Sequence, residues 1–336
     1  SVSRCALVAD DENLILGSNS FLDAAWVSRN LAAINSGYMA WEPFAGVTSG
    51  GWRLRADASV NTEHSLEQGI TINNTYNFYT ANVWCGESDA GCGLLLELFD
   101  PGGSSNARAQ FDVAGATITD SSATGFDVWY ADVSCSGGTT RRLRLSTRVD
   151  NVGSLSVRMT VVDSNGNVAY TGNNSQSIYV AHANLVRFPL SKPYVQTTDT
   201  AVVASAGYQT GSVLKMSGFD GNEVISAGQR FEVITRYNNP SSGDFELSEY
   251  KRVTRQVKVS PDGTAVVPFD PPMRNTAIPA RSDAGTGANM DSVLYNAVIF
   301  DKPEMKCRIV AGTVQYIEKP LQMTDVVFDV VEDLTT

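Results

Sequence analysis

The sequence is poor in the residues that most enzyme chemistry uses. Only His64 and His182 stand in 336 residues, which leaves little imidazole for metal ligation or proton relay. The five cysteines (Cys5, Cys85, Cys92, Cys135 and Cys307) are odd in number, irregularly spaced and free of CxxC, so no zinc site and no regular disulfide framework is indicated. The reading is of reduced thiols made in a cytoplasm; Cys85 and Cys92, in the Gly-rich stretch WCGESDAGCG, are left open as a pair. No apolar run approaches the roughly 20 residues of a membrane-spanning helix, and the longest, GLLLELF and TAVVASAG, have the length of strands. The start, SVSRCALVADDENL, lacks the basic stretch and apolar core of a secretory signal. Positive charge is scarce: 25 Lys and Arg against 36 Asp and Glu give a formal net charge of −11. Phosphate backbones and anionic lipid are therefore poor partners, and neither nucleic-acid binding nor membrane insertion is expected.

Helical periodicity is also scarce. SFLDAAWVSRNLAAIN (20–35) is the one stretch with apolar residues near i, i+3 and i+4, and a short helix is expected there. Elsewhere the period is two. WRLRADASV alternates Trp52, Leu54 and Ala56 with Arg53, Arg55 and Asp57. RRLRLSTRV and SLSVRMTVVD repeat the pattern, as half-buried strands do. Between such runs lie turn signals: Asp100-Pro-Gly-Gly, Asn165-Gly166 and Ser260-Pro-Asp-Gly263. All five tryptophans (Trp26, Trp41, Trp52, Trp84 and Trp129) precede residue 130, and prolines gather at Pro189 and Pro193. The expectation is an all-β chain: an N-terminal jelly-roll sandwich over 1–198 and a C-terminal β-barrel or sandwich over 199–336.

The first half carries Asn13, Leu14, Ile15, Ser18, Phe21 and Trp26, then Gln68, Ile70, Ile72, Tyr76 and Phe78, then GFDVWYADVS. It closes with Tyr179, Val180, Ala183, Leu185, Tyr194, Val195 and Thr197. In that order these resemble the motifs of a jelly-roll module of tailed-bacteriophage proteins that is similar to carbohydrate-binding modules, with one extra residue before Phe21. The second half carries Gly207, Gln209, Thr210, Gly211 and Leu214, then SAGQRF (226–231), GTAVVPFDPPMR (263–274) and CRIV…FDVVEDL (307–334). That series resembles the C-terminal β module of long-tailed-phage tail proteins, with Gln229 where the family has Asp. The resemblance implies a non-enzymatic structural protein of a phage virion, made in the bacterial host cytoplasm, with other virion proteins and copies of itself as partners. It places the protein in the tail or tail tip. Related β modules occur in capsid proteins, so a capsid decoration protein (cement or head fibre) is the alternative. It allows a host surface glycan as ligand of the outward jelly roll, and it implies that Phe21 and Trp26 pack across one end of the sandwich.

Among individual residues, Trp41 and Trp84 lie near loops and are the candidates for stacking on a sugar ring. The acids Glu63, Glu67, Glu97, Asp112 and Asp127 form no recognisable glycosidase pair, so a polysaccharide-degrading enzyme ranks last. His64 and His182 read as structural. DSNGN (163–167) fails as an EF-hand, because the twelfth position is Asn174, and reads as a turn. No cofactor is expected; a structural calcium ion on backbone carbonyls and an Asp is compatible with such a sandwich. In TDVVFDVVEDL, Val326, Phe328 and Val330 share one strand face, with Val327 and Val331 on the other. A strand apolar on both faces needs cover on both, so this run is expected to serve assembly.

Overall fold

The computed structural model describes residues 4–7, 12–36, 51–72, 77–103, 105–126, 129–135, 140–149, 153–188, 190, 193–201, 211–237, 245–274, 297–300, 307–309, 315–318, 324–327 and 330–332. The chain opens with β1 (Arg4–Leu7). The sandwich follows with β2 (Val27–Arg29), β3 (Leu31–Ser36), β4 (Trp52–Ala56), β5 (Thr62–Thr71), β6 (Asn77–Asp89) and β7 (Gly93–Phe99). It continues with β8 (Asn106–Asp112), β9 (Thr117–Thr124), β10 (Trp129–Cys135), β11 (Arg141–Val149), β12 (Ser154–Val162), β13 (Ala169–Tyr170) and β14 (Ser177–Val186). Then come β15 (Val213–Ser217), β16 (Val224–Ile225), β17 (Arg230–Tyr237), β18 (Phe245–Val253), β19 (Val257–Lys258), β20 (Thr264–Asp270) and β21 (Ala297–Ile299). The last strands are β22 (Cys307–Ile309), β23 (Gln315–Glu318), β24 (Thr324–Val327) and β25 (Val330–Glu332). The fold is all-β, and no helix occurs among the described residues.

Two antiparallel sheets make the sandwich: a six-stranded sheet in the order β10-β11-β6-β14-β4-β3, and a seven-stranded sheet in the order β13-β5-β12-β7-β8-β9 with β2 beside β5. The period-two pattern sets which side chains meet between them. Leu143 and Leu145 of β11 and Tyr79, Ala81 and Val83 of β6 face Leu94, Leu96 and Leu98 of β7 and Leu155, Val157 and Met159 of β12 in one buried cluster.

The stretch 20–35 is not a helix. Three tight turns follow one another: Ser20 N–H donates to Gly17 O, Asp23 N–H to Ser20 O and Trp26 N–H to Asp23 O. Each turn ends where the next begins, so the chain repeats every three residues and imitates helical spacing. Two short strands, β2 and β3, follow, separated by Asn30 at φ 52°. Phe21 and Trp26 enter the sandwich core edge to face, 5.2 Å between centroids, and the Trp26 indole N–H donates to Gly17 O.

The expected division at 198 needs one correction. β1 pairs with β15 on one side and with β21 on the other, and so closes the ring β1-β15-β20-β18-β17-β21. Residues 4–7 thus belong with the C-terminal strands, and the sandwich is inserted between two neighbouring strands of a barrel. The barrel encloses Leu214, Met216, Phe231, Val233, Val267, Phe269 and Val298. Phe231 stacks on Phe300 at 5.0 Å and meets Phe269 edge to face at 5.7 Å. The predicted turn Ser260–Gly263 is present: Gly263 N–H donates to Ser260 O, and Gly263 has φ 76°.

Candidate functional site

The motif residues of the first half come together as a clasp. Asn13, fully buried, uses its whole amide: Nδ2 donates to Val195 O (2.8 Å) and Ala183 O (3.3 Å), and Oδ1 accepts from the N–H of Ile15 and of Leu185 (both 3.1 Å). Ser18 N–H donates to Thr197 Oγ1, Thr197 N–H returns to Ser18 Oγ, and Thr197 Oγ1 donates to Ile15 O. The Gln68 amide pairs with Leu16 as a strand neighbour would, accepting from its N–H and donating to its O. Opening and closing motifs therefore fasten the two ends of the inserted sandwich to each other and present no reactive group to solvent.

Trp84 lies inside the fold rather than at its surface. It alternates with core residues along β6 and so points away from the sandwich interior, yet it is fully buried. A second layer covers this outer face of the six-stranded sheet. Tyr194 lies edge to face on Trp84 at 5.9 Å, and His182 lies 4.9 Å from Tyr194. Phe188 O accepts from Thr80 Oγ1, and the Gly263 turn of the barrel closes over Arg142. The other candidate, Trp41, lies outside the described residues.

The covered face is rich in arginine. Arg142, Arg144 and Arg148 project from β11 on this side, each at most 5% exposed. Arg144 makes a two-pronged ion pair with Asp132, bonds the Tyr130 hydroxyl and lies over the Tyr130 ring. Burial alone would lower the Arg144 pKa; Asp132 and Tyr130 outweigh it and raise it. Arg142 lacks such a mate: burial and the charge of Arg144 press it down to about 10, with Asp132, Asp262 and Asp220 opposing. The barrel turn fits this guanidinium only because residue 263 is glycine. A Cβ there would sit 2.3 Å from Phe219 O and 2.5 Å from Arg142 Nη1, at a φ that disfavours side chains. Gly263→Ala is expected to destabilise the protein by about 3 kcal/mol, read as a lower denaturation midpoint. An unchanged midpoint would mean that the turn has room to shift.

Three of the five acids considered for hydrolysis, Glu63, Glu67 and Glu97, gather around one arginine instead of flanking a groove; Asp112 accepts from the N–H of Ala114 in a turn, and Asp127 lies outside the described residues. Arg158 on β12 bonds Glu67 (3.0 Å) and Glu97 (3.2 Å) on the neighbouring strands, with Glu63 at 3.6 Å, and its guanidinium lies 4.2 Å from the Phe99 centroid. Burial pushes the Glu97 carboxyl up, with Arg158 opposing. A guanidinium between the acids neutralises the charge that an acid–nucleophile pair needs. His64 is buried, with Nδ1 against Asn30 O (2.7 Å) and Asp57 Oδ1 (3.4 Å) and Nε2 against Tyr170 O (3.4 Å), and among the described residues no serine hydroxyl bonds either ring nitrogen as in a triad. His182 sits at φ 53° in an irregularity of β14, against Trp84 and Tyr194.

Cys85 and Cys92 are free, buried thiols; burial raises both, Cys92 to about 11. Among the described residues no group of three or more His, Cys, Asp or Glu could hold a metal ion. The DSNGN stretch is a turn: Asp163 Oδ1 accepts from the N–H of Asn165 and of Asn167. The C-terminal run is described in two parts. Val326 and Val327 belong to β24, which pairs with β23; Val330 and Val331 belong to β25, which pairs with β22. Phe328 lies outside the described residues.

Asp89 joins three elements at a partly exposed edge of the sandwich. It accepts from Arg53 Nη2 (2.7 Å), Ser177 Oγ and the Tyr179 hydroxyl (3.0 Å). Burial would raise its pKa, but the hydroxyls and Arg53 outweigh that and hold it below the ordinary 3.8. A lowered folded value adds stability above 3.8 and loses it as pH falls toward the folded value. Asp89→Asn is therefore expected to lower the denaturant midpoint at about pH 6 and to match the wild type near about pH 2. A difference that persists at the acid end would show that the carboxylate charge is not what matters.

No family model matches the chain, and no curated protein matches it. Among solved structures, a carbohydrate-binding module described for specific mannan recognition, TmCBM27, aligns with 53% of this chain and 96% of its own, at 13% identity and a TM-score of 0.27. At that TM-score the likeness carries no argument about the chemistry of this chain.

Proposed function

We propose that this chain is a non-enzymatic structural protein of a tailed-phage particle, in which the barrel docks to other particle proteins and the sandwich faces outward. The observation that carries this reading is the insertion of the sandwich between β1 and β15. Both ends of the sandwich enter the barrel, and its arginine face packs on the barrel turn at Gly263. A module tethered twice is held in a fixed direction, which suits display from a base. The ordered motifs of both halves support the same reading. The tail or tail tip is the proposed location, with a capsid decoration role as the alternative. Within this reading a host glycan is the ligand class of the sandwich, and with Trp84 buried the aromatic platform falls to Trp41.

The test is complementation of particles lacking the protein with the labelled full chain. Incorporation at the tail supports the reading; incorporation on the head moves the protein to the decoration role. A full chain that stays in the soluble fraction overturns both. Hydrolysis of envelope polysaccharide that is lost on Glu97→Gln would restore the enzyme reading.

A further inference from the structure

Polar groups buried at a packed face are normally paired, and each one left alone costs about 1–3 kcal/mol. On the covered face of the six-stranded sheet Arg142, Asn184 and Arg144 are among the side chains that break that rule. Arg142, 2% exposed, has no hydrogen bond at Nε or Nη1 and makes no ion pair among the described residues. Asn184, 0% exposed, has no partner for either amide atom. Arg144 has no partner at Nη1 in spite of its pair with Asp132.

Register places these groups together. Arg144 stands opposite Asn82, and Asn82 stands opposite Asn184, so the three form one row across β11, β6 and β14. Arg142 lies two residues along β11, on the same face. Strands about 4.8 Å apart with a two-residue repeat of about 6.8 Å bring these side chains within reach of a common small ligand. Two of the three carboxylates nearby are already committed. Asp132 serves Arg144 and Tyr130, while Asp262 accepts from Tyr194 N–H and from Thr264 N–H and Oγ1. Asp220 acts on Arg142 only through space.

We propose that Arg142, Arg144 and Asn184 hold a small oxyanion at the junction of sandwich and barrel. Guanidinium N–H groups make strong, charge-assisted bonds to oxyanions. Asn184 adds a donor and an acceptor, and the acceptor calls for a protonated oxygen. Hydrogen phosphate supplies one at neutral pH; sulfate does not. The bound anion would supply the counter-charge that Arg142 lacks and tie the inserted sandwich to its base.

The experiment follows thermal unfolding of the full chain in inorganic phosphate, in sulfate and in chloride at matched ionic strength, with equilibrium dialysis of labelled phosphate alongside. Phosphate and sulfate strengthen apolar burial in any protein, so only the saturable part lost in a variant counts. The expected result is a saturable rise in phosphate beyond that in sulfate, with binding weakened at least about tenfold in both Arg142→Gln and Asn184→Ala. If Arg142→Gln does not fold, Asn184→Ala and dialysis on the wild type decide. Equal responses to phosphate and chloride, or variants that bind phosphate as the wild type does, would overturn the proposal.

Discussion

A chain begun at residue 199 is expected not to form the barrel at all, and to gain it back when β1 is restored. The seam depends on four residues from the far end of the chain. Ala6 and Leu7 pair with Ser217 and Met216 of β15, and Arg4, Cys5 and Ala6 pair with Ile299, Val298 and Ala297 of β21. Without them both β15 and β21 become open edges, each with a row of unpaired backbone groups that invites association with another chain. The core behind them, Leu214, Met216 and Val298 among its members, loses one wall. The loss is the whole stability of the unit, on the order of 5–15 kcal/mol, and not a fraction of it. β1 and β15 run antiparallel, so the sandwich stands where a hairpin turn would. Replacing residues 12–210 by Asn-Gly should therefore yield a folded, cooperative barrel. Thermal unfolding and mass in solution are the measurements. A monomeric piece from 199 onward with a sharp transition would show that β1 is dispensable.

What local pattern could reveal was revealed. Alternation in WRLRA and RRLRL identified strands and the side chains that face the sandwich core, and Trp52, Leu54, Leu143 and Leu145 are buried there. Pattern is silent about what lies on the other face. Arg142 and Arg144 fall on the polar side of an alternating strand, and alternation describes one sheet only, whereas the cover of this face, Trp84 included, comes from Phe188, Tyr194 and the turn at Gly263, far along the chain. β1 was missed for the same reason: RCAL has no alternation and no turn signal, and its partners lie more than two hundred residues away. The grouping of Glu63, Glu67 and Glu97 on Arg158 also depends on register, since β5 and β7 meet only across β12. The helix expected over 20–35 failed for a different reason, because stacked three-residue turns and a helix give nearly the same spacing of apolar residues.

The second large effect is expected at Asn13, whose replacement by Leu should destabilise the protein by about 4 kcal/mol, from three buried hydrogen bonds and one partly buried at the usual cost of orphaned groups. Leucine has the same number and branching of side-chain heavy atoms and is bulkier, so a loss cannot be put down to a cavity. What it removes is the exchange between segments: the carbonyls of Ala183 and Val195 and the N–H groups of Ile15 and Leu185 would stay buried with fewer partners. Leu14 N–H would still reach Leu185 O at 2.8 Å, and Ser18 and Thr197 would still pair, so the clasp weakens without vanishing. Asn13→Asp separates shape from chemistry. It keeps the acceptor for Ile15 and Leu185 but loses both N–H donors, and as a buried carboxylate it should be at least as costly as leucine at neutral pH and recover part of its stability in acid. Denaturant midpoints of the three proteins at two pH values make the comparison. If leucine is tolerated within about 1 kcal/mol, the opening and closing motifs are held together by packing rather than by the Asn13 amide.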